Sequence, residues 1–232
     1  MKTRTLLFSA LTVLTILSSC TMNQKILYST KNIPTIQDEK LSTLVIDIEE
    51  FTDHRKDNPE NEILFTNSKQ ISVDGKNKCI NSEKNYKNEP VTRQLTQMLV
   101  NHMNLRNSFN KVVMNNKDTA NYYIKADLRN FYGKQTFSSK AAVGAQFGLI
   151  GALATAGVKT PGKIIFEMND VKIYNKDNQV IKTIESFKRE YEGDFPADAY
   201  CWCIFQNVNA KLKDYYSELI TTIETEIKNS QN

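Results

Sequence analysis

The first twenty residues constrain the fold most, because their pattern sets them apart from the folded domain. Lys2 and Arg4 form a short cationic start, and an apolar run extends from Leu6 to Ile16. Small residues come next and lead directly to Cys20. This order is typical of a secretory signal that is removed from the mature protein. The pattern predicts a signal peptide over residues 1–19 and a folded domain built only from the residues after it.

The end of this segment, Leu17-Ser18-Ser19-Cys20, resembles a bacterial lipobox, in which the cysteine is lipidated and the preceding peptide is removed. The alternative is an ordinary cleaved signal with an incidental cysteine. The resemblance implies a membrane contact through an N-terminal lipid on Cys20. Lipoproteins that this segment resembles are retained at the inner membrane mainly when aspartate follows the cysteine, and here Thr21 follows it. The resemblance therefore implies anchoring at the outer membrane, on its periplasmic face, with the inner membrane and the cell surface as alternatives.

Composition and charge narrow the classes of function. Hydrophobic residues make up 40% of the 232, enough for a core, and the formal net charge of the whole chain is only +4. No stretch combines basic and aromatic residues as nucleic-acid-binding segments do. We therefore expect no nucleic acid partner.

Three cysteines remain besides Cys20, in a compartment where disulfides persist. Cys79 can form a bridge with Cys201 or Cys203 if the two segments pack together, or all three can be idle thiols. The pair around Trp202 lacks the further ligands of a zinc site, so no metal and no other cofactor is expected.

Hydrophobic periodicity predicts the elements of the mature chain. Residues 20–41 are polar and without a strong period, and are predicted to be a tether behind the lipidated cysteine. Residues 42–228 are predicted to form one α+β domain, a mostly antiparallel sheet packed on one side by two helices. The expected elements are strands at 44–51, 109–114 and 122–129, a hairpin at 164–173 and 180–191, and helices at 91–105 and 198–227.

An apolar insert at 141–158 interrupts this pattern and carries no charge. Gly144, Gly148, Ala152 and Ala156 recur at four-residue spacing and would give a helix one smooth face for close helix packing. The insert is therefore predicted to be helical. A packed soluble insert, an oligomer-forming or membrane-inserting helix, and a lone span at the lower limit of length are the alternatives.

Few residues have the chemistry of catalysis. His102 continues the apolar stripe of the first helix, so a core position is expected. His54 lies between Asp53 and Arg55 at the end of a strand, where a surface role is expected. Asp53 and Arg55 can form a local ion pair or contact a partner. We expect no enzyme activity and no catalytic residues.

With the lipobox, the first strand ending in Asp53-His54-Arg55, and the order of helix, strands and closing helix, the chain resembles the YajG-type lipoprotein family. Auxiliary lipoproteins of lipid-transporting ABC systems are similar in layout. The insert and the lipobox are similar to TraT-type surface-exclusion proteins.

The resemblance implies a lipid-anchored envelope protein that acts as a non-enzymatic binding or accessory module of an envelope complex. The alternative is a structural outer-membrane lipoprotein that forms homo-oligomers or inserts through 141–158.

Overall fold

The computed structural model describes residues 24–58, 72–73, 78–83, 86, 89–147, 157–198 and 201–231, and it shows one mixed β-sheet. Its strands are β1 (Val45–Ile48), β2 (Thr52–Asp53), β3 (Ser72–Val73), β4 (Lys78–Ile80), β5 (Lys111–Met114), β6 (Tyr122–Thr136), β7 (Lys159–Asn175) and β8 (Val180–Pro196). The central strand is β6. On one side of it lie β7 and then β8, and its other side pairs with β1, β2 and β4 in turn.

The helices are α1 (Val91–Arg106), α2 (Ser139–Gln146) and α3 (Cys203–Asn229). Apolar side chains of α1 and α3 pack with those of the sheet in one continuous core. Asn107 ends α1 with a φ of 57°, a left-handed conformation that asparagine tolerates better than most residues. The predicted α+β class is confirmed.

Most of the strand pairing is antiparallel, as expected, and the parallel pairs involve only the short strands β1, β2 and β5. Strand β1 runs parallel to both of its neighbours, β5 and β6, whereas β6, β7 and β8 form the antiparallel part. Parallel neighbours need a crossover connection, and α1 supplies it between β1 and β5.

The long helix α3 approaches the sheet closely at Gly133 of β6. A Cβ atom at this position would lie 2.5 Å from Cγ2 of Val208, a distance that real Cβ contacts do not reach. The backbone N–H of Gly133 donates a hydrogen bond to the side chain of Asn81. Glycine therefore lets the backbone of β6 and the side chains of α3 meet.

Residues 24–41, which we call the strap, are not a free tether as predicted. Ile26, Tyr28 and Leu41 are buried in the main core. The strap was not recognised in the sequence because its apolar residues have no regular spacing. The strap forms no helix or strand and lies against two helices, so its burial does not require regular spacing.

Hydrogen bonds hold the strap along its length. The amide N–H of Ile26 donates to the Gln94 side chain of α1 (3.3 Å), and that of Ile36 donates to the carbonyl of Arg106 (2.8 Å). From α3, Asn209 Nδ2 donates to the carbonyl of Lys25 (3.3 Å). The strap therefore bridges α1 and α3.

Candidate functional site

Arg55 is buried and forms with Asp53 the local ion pair that was one of its two predicted roles, while contact with a partner stays a prediction. Its side chain is 2% exposed and donates from Nε and Nη2 to both carboxylate oxygens of Asp53, at 2.9 and 2.7 Å. Nη1 donates to Glu83 at 2.8 Å. Burial disfavours the charge and lowers the pKa of Arg55, but the hydrogen bonds that Arg55 donates to the two carboxylates outweigh it and raise that pKa. The ion pair joins the turn after β2 to the segment after β4.

For Asp53, burial and pairing shift the pKa in the opposite directions to those in Arg55, and pairing again has the larger effect. Burial raises the pKa of its carboxyl group, and the hydrogen bonds and charge of Arg55 lower it by more. The result is a pKa below the usual range, so Asp53 stays ionised. Its carboxylate binds Arg55, and 34% of the side chain remains exposed.

The two histidines have different environments, one at the surface and one buried. His54 Nδ1 is 3.1 Å from Asp57 Oδ2 at the surface. His102 is buried, with Nδ1 2.7 Å from the hydroxyl of Tyr28 and Nε2 3.4 Å from that of Ser217. Burial lowers the pKa of His102 to about 4, helped by the positive charges of Arg106 and Lys213. The imidazole is therefore neutral and links the strap to both helices.

A second buried ion pair was not predicted. Arg106 Nη2, at the end of α1, donates to Glu224 Oε2 of α3 at 2.9 Å and to the Thr221 hydroxyl at 2.9 Å. Ser108 donates to Oε1 of the same glutamate at 2.5 Å. The sequence carries a signal for it, because Glu224 stands on the apolar stripe of α3 between Ile220 and Ile227.

Of the three cysteines that the structure describes, two form a disulfide and one is a thiol. The structure joins Cys79 of β4 to Cys201, just before α3, with 5.3 Å between their Cα atoms. Cys203 is free and half-buried, and burial raises the pKa of its thiol to about 12. The bridge fixes the start of α3 to the edge of the sheet.

The insert begins with α2, which the Ser138 hydroxyl caps by accepting a hydrogen bond from the N–H of Ala141 (3.0 Å). Gly144, the first residue of the predicted packing face, is buried, and the packing face itself stays a prediction. Gly148, Ala152 and Ala156 lie outside the described residues, as does Cys20. Val143 in α2 and Phe147 directly after it are large hydrophobic side chains that lie exposed.

The described residues pack tightly where the sheet meets the helices. The gap bounded by Leu95, Phe131 and Phe166 has no room for a water molecule. An open depression of about 630 Å³ lies instead on the outside, where Gln24 and Leu27 of the strap face Gln206 and Asn209 of α3.

The strap enters the domain at one end, which we call the anchor end. Gln24 forms a bridge with Tyr86, whose ring packs at 5.5 Å from that of Phe205 in the first turn of α3. Asn207 donates to the side chain of Gln135 and to the carbonyl of Pro196, near the last residues of β6 and β8. The start of α3, the disulfide and the start of α2 therefore share this end.

The described residues contain neither a membrane-spanning helix nor a metal site. None of their helices combines the length and the apolar character needed to cross a bilayer. Within the same residues, no group of three or more histidine, cysteine or acidic side chains is placed to hold a metal ion.

Comparisons with known proteins give weak likenesses. No family model and no curated protein matches the chain, so membership of the YajG-type family stays a prediction. A Xanthomonas campestris protein of the DUF330 family is similar at 13% identity and a TM-score of 0.45, covering 90% of this chain and 98% of that one. A putative neuraminyllactose-binding hemagglutinin homolog from Helicobacter pylori is similar at 9% identity and a TM-score of 0.31, covering 88% and 91%. Both likenesses are too low to carry a functional argument.

Proposed function

We propose that this protein is a lipid-anchored lipoprotein of the cell envelope that acts as a non-enzymatic binding or accessory module of an envelope complex. The observation that carries the proposal is the strap. Its buried residues begin at Ile26, six positions after the cysteine of the lipobox. A lipid on Cys20 would therefore be joined to the folded domain almost directly.

The reach of the chain sets how close the domain lies to the membrane. Four residue steps separate Cys20 from Gln24, and an extended chain spans at most about 3.6 Å per residue. Whatever path residues 21–23 take, the lipidated residue would lie within about 14 Å of Gln24. If residues 20–41 were the free tether that the sequence predicts, the lipidated residue could lie up to about 75 Å from the domain.

The buried polar groups of the domain make contacts within the fold. Both described ion pairs with a buried arginine, at Arg55 and at Arg106, join separate segments of the fold. His102 is enclosed by Tyr28 and two helices. These groups hold the domain together, which leaves its outer surface as the place for a partner.

Processing of the native protein tests the anchor. Incorporation of a labelled fatty acid, sensitivity of processing to globomycin, and recovery in the outer-membrane fraction of a density gradient are expected. The Cys20→Ala variant is the control and should incorporate no label. Label in that variant, or wild-type protein in the cytosol, would contradict the proposal.

Affinity capture of the lipidated protein from solubilised membranes tests the binding role. We expect a defined complex with other envelope proteins, and the mass of that complex also reveals any homo-oligomer. A protein recovered only as a monomer, at native abundance and in mild detergent, would contradict membership of a complex.

A further inference from the structure

We infer that the anchor end of the domain is itself a membrane-contact surface, with Trp202, Phe147 and Val143 seated at the level of the lipid head groups. This inference rests on the proposed lipidation of Cys20. It goes further, because it assigns protein side chains to the bilayer and thereby fixes the orientation of the domain.

Exposed apolar residues are concentrated at this end. In the described part of the chain, large hydrophobic side chains are exposed at six positions: Leu27, Leu105, Val143, Phe147, Val180 and Trp202. Single exposed hydrophobic residues are ordinary on a protein surface. Four of these six, however, belong to the strap entrance, α2 or the start of α3. Phe147 is the most exposed of all, at 70%.

The helices place these residues on the outside of the anchor end. Trp202 stands one helical turn before Gln206, which lines the open depression together with Gln24 and Leu27. Helix α2 follows the last residue of β6 by only two residues. Thr136 there accepts a hydrogen bond from Thr160 at the start of β7 (2.7 Å). Helix α2, which carries Val143 and is followed directly by Phe147, therefore begins at the same end of the sheet as α3.

The position of the anchor selects lipid as the partner of this surface. A lipidated Cys20 within about 14 Å of Gln24 leaves too little chain for the anchor end to stand clear of the head groups. Tryptophan is favoured at such interfaces because its ring is apolar and its N–H is polar. Exposed Lys25 and Lys140 belong to the same elements, and lysines at this level attract anionic head groups.

The opposite end of the domain would then point away from the membrane. Helix α3 has 27 residues, which corresponds to about 40 Å at the rise of an α-helix. Its last turn lies beside the start of β6, where Tyr122 and Ser230 meet at 3.4 Å. The turn between β7 and β8 also lies at this distal end, together with exposed Val180.

The single tryptophan of the chain makes the test direct, because all tryptophan emission comes from Trp202. Lipidated full-length protein is reconstituted in phosphatidylcholine vesicles, with and without phosphatidylglycerol, and compared with the same protein in detergent. We expect emission shifted to shorter wavelength, protection from acrylamide, and strong quenching by brominated phosphatidylcholine.

Two pairs of variants give the controls. Phe147→Ser and Val143→Ser should reduce the quenching by brominated lipid, since losing one large apolar side chain from the lipid contact shifts docking by about tenfold or more. Leu105→Ser and Val180→Ser remove residues of similar exposure elsewhere on the domain and should change nothing. Equal effects in both pairs would contradict the inference.

The outcomes separate the two proposals. If mass spectrometry finds no acyl chains on Cys20 and the protein does not stay with vesicles, the proposed anchoring fails. If the protein is acylated and vesicle-bound but Trp202 stays open to acrylamide and unaffected by brominated lipid, the anchoring stands and the membrane-contact surface is refuted.

Discussion

Protonation of His102 is predicted to destabilise the fold and to weaken the contacts that hold the strap. The neutral imidazole lies 2.7 Å from the hydroxyl of Tyr28, and Ser217 stands at its other nitrogen. The positive charges of Arg106 and Lys213 act on the same ring. A proton on His102 would place an uncompensated charge among groups that already repel it.

The size of the effect is set by the two pKa values. His102 titrates near 6.5 when unfolded, and burial, with the nearby positive charges, lowers its pKa to about 4 in the fold. The unfolded chain therefore binds more protons between these values, and acid favours unfolding. The stabilisation by neutral His102 is complete above a pH of about 6.5 and is lost as the pH falls toward about 4. Between about pH 7 and pH 4.5 the loss is about 2 kcal/mol.

Urea unfolding of the wild type and of His102→Gln at those two pH values checks this prediction. Glutamine does not titrate and can accept the hydrogen bond from Tyr28, while the carboxyl groups common to both proteins contribute equally. The free energy of unfolding of the wild type should fall by about 2 kcal/mol more than that of the variant.

Equal losses in the two proteins would refute the reasoning. A second measurement does not depend on the variant: the chain has two histidines, so their imidazole signals can be assigned and titrated by NMR in the folded wild type. A titration of His102 at or above its ordinary value would show that burial does not keep it neutral.

Further substitutions test the packing. Gly133→Ala should cost about 1–3 kcal/mol, measured by urea unfolding, because the added methyl overlaps the α3 side chain that faces it. Glu224→Ala leaves its buried arginine partner unpaired and should cost about 3–5 kcal/mol in the same assay. The double variant Cys79→Ser, Cys201→Ser removes a bridge that closes a long loop, with a separation of 122 residues, and should lose about 2–5 kcal/mol. Cys203→Ser is its control and should keep the melting temperature nearly unchanged; a loss as large as that of the double variant would contradict this assignment.

Regular spacing made the main elements predictable. The apolar stripes predicted helices at 91–105 and 198–227, close to α1 and α3. The alternation in the hairpin gave both of its strands, although β7 and β8 extend further at the end where Gly162 and Gly193 pair. The parallel pairing of β1 was not predictable in the same way, because alternation identifies a strand but not its neighbours.

The parts that the sequence did not reveal are those that depend on contacts between distant segments. The strap follows no period, and its burial depends on a groove formed by α1 and α3. Arg55 was recognised as one half of a local pair, but Glu83, 28 positions away, completes its buried cluster. Whether a charged residue meets solvent or another charge is decided by the fold and not by its neighbours in the chain.

If Cys20 carries the proposed lipid, the strap connects the stability of the domain to its distance from the membrane. While Tyr28 and Ile26 stay buried, that lipid would hold the domain within about 14 Å, and the anchor end would meet the head groups as proposed. If the strap left its groove as far as Leu41, the domain could move up to about 75 Å from the lipidated residue. Under the proposed anchoring, the contacts that hold the strap, His102 with Tyr28 among them, would decide whether a partner meets this protein at the membrane surface or well above it. A loss of about 2 kcal/mol at the His102 contact would act on that choice before it unfolded the β-sheet, because the strap has fewer core contacts than the strands.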